Sequence, residues 1–129
     1  MLHSDITEKI IKAFYKVNNT LGFGFLEKVY ENAMVVELRK LGCEVLQQKN
    51  IKVYYETEVV GDYYADLLVD DSVIVELKAA DNLCEEHEAQ LTNYLRATKI
   101  EIGLLLNFEK EPELKRKIFE NRFKKNLKQ

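Results

Sequence analysis

A chain of 129 residues is the size of one domain and can bury roughly two thirds of its unfolded surface around a single core. With 47% hydrophobic and 32% charged residues it reads as a soluble globular protein, and no run of about 18 apolar residues offers a membrane span. The net charge of −3 hides a division: residues 114–129 carry seven basic side chains against Glu120 alone, a net of +6, which leaves −9 on the rest. A pI near 5.5 argues against a non-specific polyanion binder. The basic end is then either a nucleic-acid contact or the solvated face of a last helix.

Met1 to Asp5 lack the charged and apolar regions of a signal peptide. Cys43 and Cys84 have no metal-ligand spacing, so reduced thiols and a cytoplasmic location are expected. Residues 5–20 have helical spacing in Ile6, Ile10, Phe14 and Val17, with Asp5 and Glu8 placed as an N-cap and N3 pair. After the Gly22 and Gly24 break, a second helix is expected from about Phe25 to Leu41, closed by Gly42. From Glu44 to Val60 the period shortens towards two, which is strand material with turns. Residues 63–79 form two short apolar runs around Asp70-Asp71-Ser72, the pattern of a β-hairpin. Residues 84–98 return to helical spacing, and 100–108 are a nearly all-apolar run of the kind covered on both faces. Glu111-Pro112-Glu113 reads as the start of a last helix docked by Ile118, Phe119 and Phe123. The order is α-α-β-β-β-α-β-α, a mixed sheet with helices on both sides.

The hairpin holds three charges among apolar residues: Asp66, Glu76 and Lys78. A charge buried without a partner costs several kcal/mol, so chains seldom keep one. Glu76 and Lys78 are two apart and share a face. A three-residue turn puts Asp66 opposite Glu76, whereas a two-residue turn pairs it with Val75. Two adjacent carboxylates repel unless a cation joins them, and oxygen ligands with open positions suit Mg²⁺ or Mn²⁺. Lys78 beside such a cation would position or deprotonate a water, or offset charge on a phosphate. The plainer alternative is an ion pair of Lys78 with Asp66 or Glu76 on a solvated sheet face.

Asp66, nine intervening residues and then Glu76-Leu77-Lys78 resemble the PD-(D/E)xK nuclease signature, with Ala65 standing where the classical proline precedes the aspartate. Gly24-Phe25-Leu26-Glu27-Lys28-Val29-Tyr30 is similar to the motif that names the GxxExxY family of that superfamily. Tyr64 to Val69, Val73 to Lys78 and His87 to Leu91 match as well, so the resemblance spans roughly residues 5 to 110.

That resemblance implies an α/β, restriction-endonuclease-like αβββαβ core with a four-stranded mixed sheet, to which the reading above adds N- and C-terminal helices. It implies that Asp66, Glu76 and the Leu77 carbonyl ligate Mg²⁺ (or Mn²⁺), that Glu27 adds a further acid to the metal site, and that Lys78 is catalytic. Gln90 and Tyr94, one helical turn apart, resemble a Gln-x-x-x-Tyr pair that orients substrate or metal-bound water. Tyr30 shares the Glu27 face and is equally a core tyrosine or a substrate contact; Tyr94 reads as half core; His87 reads as solvated.

The function expected is a Mg²⁺-dependent nuclease acting on nucleic acid, DNA before RNA, with no membrane partner and with a homodimer left open. The alternative is a non-catalytic nucleic-acid- or protein-binding module on the same fold. A further expectation gives the basic 114–129 segment a role in recruiting substrate.

Overall fold

The computed structural model describes residues 2–125, so Lys128 of the basic segment lies outside the described residues. Two helices lead. In α1 (Ser4–Leu21), Ile10, Ala13, Phe14 and Val17 are buried along one face. The capping pair expected from Asp5 and Glu8 does not form: the helix starts at Ser4 with His3 as N-cap and no side-chain cap. In α2 (Glu27–Lys40), Tyr30, Met34, Val35 and Leu38 face the core. It closes as the sequence suggests. Gly42 has φ +85°, its N–H bonds the Arg39 carbonyl at 3.0 Å, and the Cys43 N–H returns to Leu38 at 3.0 Å.

Among the described residues the sheet has five strands in sequence order, one more than expected: β1 (Val45–Tyr55), β2 (Glu58–Val69), β3 (Val73–Lys78), β4 (Ile102–Asn107) and β5 (Glu113–Ile118). Neighbours are antiparallel except β3 and β4, which run parallel across α3 (Glu85–Arg96). β1 and β2 turn at Glu56-Thr57, and their outer ends extend as an arm beyond the six-residue strands.

The last helix read at 111 is a correction. Residues 113–118 form β5, paired antiparallel to β4 from Asn107–Glu113 to Ile102–Ile118. Pro112 precedes this strand instead of opening a helix. Leu114 packs on the core while Lys115 and Lys117 lie on the other face, a period of two that the charges obscure in sequence. Lysine and arginine on such a strand also protect an open sheet edge from further pairing. Much of the basic segment is engaged: Lys117 pairs with Glu88 at 2.6 Å, and Lys124 donates to the carbonyls of Thr98 and Ile100.

Each sheet face has its own apolar cluster. α1 and α2 cover Leu67, Val69, Val73, Val75, Leu104 and Leu106, with Phe14 and Tyr30 against Phe108. α3 covers Ile51, Ala65, Leu68, Ile74 and Leu105 with Leu91, Tyr94 and Leu95. Gly103 lets α3 come this close, because a Cβ there would lie 2.6 Å from Leu91 Cδ1. Among the described residues no helix is long and apolar enough to cross a membrane.

Candidate active site

Around its turn the β2–β3 hairpin is regular. Leu67–Val75, Leu68–Ile74 and Val69–Val73 pair across a three-residue loop, Asp70-Asp71-Ser72, whose two aspartates take positive φ. This register puts Asp66 opposite Glu76, the alternative the nuclease reading needs. Beyond Leu67 and Val75 the backbone ladder gives way to side chains. The Asp66 N–H donates to Glu76 Oε1 at 2.8 Å, and the Leu77 N–H donates to Asp66 Oδ2 at 2.8 Å. Each carboxylate thus occupies the gap between the parting strands and holds one backbone N–H of the other strand. A strand residue directs its N–H and C=O to the same side, so the Leu77 carbonyl also points into this notch.

A second irregularity aims the pair. Gln48, opposite Asp66 in β1, has φ +54°, an uncommon conformation for a residue other than glycine. Here both strands exchange faces: Val45 and Leu67 pack under α1 and α2, whereas Ile51 and Ala65 pack under α3. In an undisturbed strand, residues 65 and 67 would share a face. The Gln48 amide bridges the crossing, donating to Glu31 Oε1 at 2.9 Å and, more weakly, to Asp66 Oδ1 at 3.4 Å.

Glu31 was not singled out by the sequence, and neither was Gln48. Only 4% exposed, Glu31 accepts from Gln47, Gln48 and Lys28. Its spacing of four from Glu27 was the available signal, since i and i+4 share a helix face. Nothing in the sequence marked Gln48, whose role depends on the strand crossing.

Burial, and then the charge of Asp66, pushes the Glu76 carboxyl up to about 8. Burial also raises Asp66, opposed by the Leu77 N–H. Glu27, exposed in the first turn of α2, adds to both shifts through its charge. Lys78 acts the other way on Glu76 and is half-buried, with no ion pair among the described residues. The plainer alternative, an ion pair of Lys78 with Asp66 or Glu76, is therefore not formed.

On the α3 side, Tyr94 is 4% exposed and its hydroxyl accepts from Gln90 at 2.8 Å. Burial, then the charges of Glu76 and Asp66, pushes that hydroxyl up to about 12, and the ring packs in the α3-side cluster with Ala65 and Ile74. Tyr30 is placed otherwise. It is fully buried, stacked on Phe108 at 4.4 Å, and donates to the Gly22 carbonyl at 2.7 Å while accepting from the Phe25 N–H at 3.2 Å. The substrate contact considered for it is not available from there; it ties down the loop that delivers Glu27. His87 accepts from the Cys84 N–H at 3.3 Å and closes the start of α3.

A buried and a half-buried carboxylate that repel, each holding one backbone N–H, suit a hard divalent cation. Among the described residues no three His, Cys, Asp or Glu side chains stand together as a metal-holding group, so Glu27 does not complete a trio with Asp66 and Glu76. Carbonyl oxygen and water must supply the remaining positions, a ligand mix that Mg²⁺ commonly takes.

A five-stranded mixed sheet between helices, notched at two carboxylates with a lysine two residues on, is the arrangement of a nuclease-like α/β protein. The chain matches the PD-(D/E)XK nuclease superfamily over residues 4–118 and belongs to it. No curated protein and no solved structure matches it.

Proposed function

We propose that the protein is a divalent-metal-dependent nuclease of the GxxExxY type, cutting phosphodiester bonds in DNA rather than RNA. The observation that carries this is the pair of crossed hydrogen bonds, Asp66 N–H to the Glu76 carboxylate and Leu77 N–H to the Asp66 carboxylate, which converges two carboxylates where the strands part. Asp66, Glu76 and the Leu77 carbonyl would hold Mg²⁺ or Mn²⁺. Bound there, the cation would offset phosphate charge and lower the pKa of a water.

The chain's own groups do the rest. Lys78, projecting on the Glu76 face, lies where it can stabilise charge on a phosphate or orient a water. Glu27 presents an outer carboxylate able to hold a water towards the pair. Gln90 fixes the Tyr94 hydroxyl at the border of the notch. Glu31, through Gln48, positions Asp66.

The test is cleavage of labelled single- and double-stranded DNA and of RNA by pure protein, with Mg²⁺ or with chelator. Cleavage should need the metal and disappear in Glu76→Ala and Lys78→Ala. Activity that persists undiminished in both variants defeats the proposal.

A further inference from the structure

Beside the carboxylate notch, between α3 and the outer arm of β1 and β2, lies an open cleft of about 810 Å³. Its size is in the range of small-ligand sites, roughly 300–1,000 Å³. Of its lining residues only Gln90 and Tyr94 have a part in the reading above. We propose that this cleft receives an unpaired nucleobase, so that the strand cut at Asp66 and Glu76 is single-stranded at that point. The proposal rests on the nuclease reading and adds its substrate class.

Tyr63 is the platform. It is 47% exposed, and its ring centroid stands 6.0 Å from that of Tyr94 at an angle of 46°. Tyr94 thus supports a ring that lines the cleft and stays half-exposed. Gly61 makes the posture possible: a Cβ there would lie 2.8 Å from Tyr63 Cε2 and 3.2 Å from Val53 Cβ. Tyr54 lines the same wall from β1.

Polar groups suited to a base edge stand on the opposite wall. Asn93 is exposed on α3, and Gln90 is half-buried one turn earlier, each bearing an amide donor and acceptor. Arg96 and Lys125 at the rim face a single lining acid, Glu86, a balance that favours a phosphate backbone.

The cleft adjoins the carboxylate pair through Tyr94, which lines it and packs in one cluster with Ala65, next to Asp66, and Ile74, two residues before Glu76 on the same strand. In a duplex the faces of the bases are covered by their neighbours, so only an unstacked base can lie on Tyr63.

The test is binding measured by fluorescence anisotropy in chelator, where no cleavage occurs. The probes are a fluorescein-labelled single-stranded oligodeoxynucleotide, its blunt duplex, and the same strand made abasic. Wild-type protein should bind the single strand at least tenfold tighter than either control. Tyr63→Ala should weaken single-strand binding by roughly tenfold, the loss expected for one stacked base, and Tyr63→Phe should keep it. Because Tyr63 is half-exposed, Asn93→Ala serves as a second variant on a different element, with a smaller loss expected. Equal affinity for duplex and single strand, or wild-type affinity in Tyr63→Ala, overturns the proposal. Base-dependent single-strand binding without any metal-dependent cleavage upholds the cleft and removes the nuclease reading instead.

Discussion

The two ends of the β2–β3 hairpin are built from the same two strands and do opposite things. At the closed end, Leu67, Leu68 and Val69 face Val75, Ile74 and Val73 in an unbroken ladder, all buried. At the open end the ladder stops and two carboxylates take its place, each bonded to the other strand's backbone. The closed end stores stability; the open end gives some of it up by burying like charges close together. The lesson is that the site is a controlled failure of the sheet, held open by side chains and not by a gap.

The sharpest way to break this contrast is to remove a carboxylate. Glu76→Ala should lower metal-dependent cleavage by at least about a thousandfold, near 4 kcal/mol of barrier, while the protein stays folded. Its counterpart at the closed end is Leu67→Ala, which should cost about 2–5 kcal/mol in a urea titration and leave cleavage by the folded fraction nearly intact. If Leu67→Ala instead abolished cleavage at unchanged stability, the two ends would not differ as described.

The pH dependence sharpens the comparison further. A glutamate raised to about 8 in the folded protein keeps a proton that the unfolded chain has released above its ordinary value of 4.5. Stability from this group is therefore whole below about pH 4.5 and lost as pH rises towards 8, by a few kcal/mol at most. Asp66 shifts in the same direction. Thermal scans from pH 5 to pH 8 should show a falling midpoint, and Glu76→Gln should flatten the slope and raise the midpoint at the alkaline end. An identical slope in the variant would contradict the burial and repulsion assigned to the pair.

The smallest effect is expected at Gln48. Gln48→Gly relieves a positive φ, worth about 1 kcal/mol, but removes the bridge from Glu31 to Asp66. Stability should change little, while kcat falls roughly tenfold with KM nearly constant, as befits a residue that positions another. Gln48→Gly with wild-type kcat would reduce the bridge to decoration.

How far the site could be read in advance follows from where its information lies. Asp66, Glu76 and Lys78 conflicted with their apolar surroundings, and such conflict is visible in sequence. Their register was not, because it depended on whether Asp70-Asp71-Ser72 turns in two residues or three. Glu31 and Gln48 were invisible for a different reason: they matter only through contacts 16 to 18 residues apart in sequence, formed where two strands change faces. Tyr30 shows the converse. Its motif pointed to the site, yet its hydroxyl is bound to Gly22 and Phe25, so the motif's tyrosine supports the loop that leads into Glu27. The fold was readable up to Asn107. The strand after it, β5, was not, since Glu-Pro-Glu carries a strong helix-start signal and the alternation of β5 is hidden under lysines and arginine.

The central claim is that Asp66 and Glu76 form one divalent-cation site. Isothermal titration of Mn²⁺ into wild-type protein and Glu76→Gln, near pH 7 and in two buffers of different ionisation heat, tests it directly. With Glu76 raised to about 8, the wild type should bind at one site and release close to one proton, and Glu76→Gln should show neither. Matching heats from the two proteins would contradict the account.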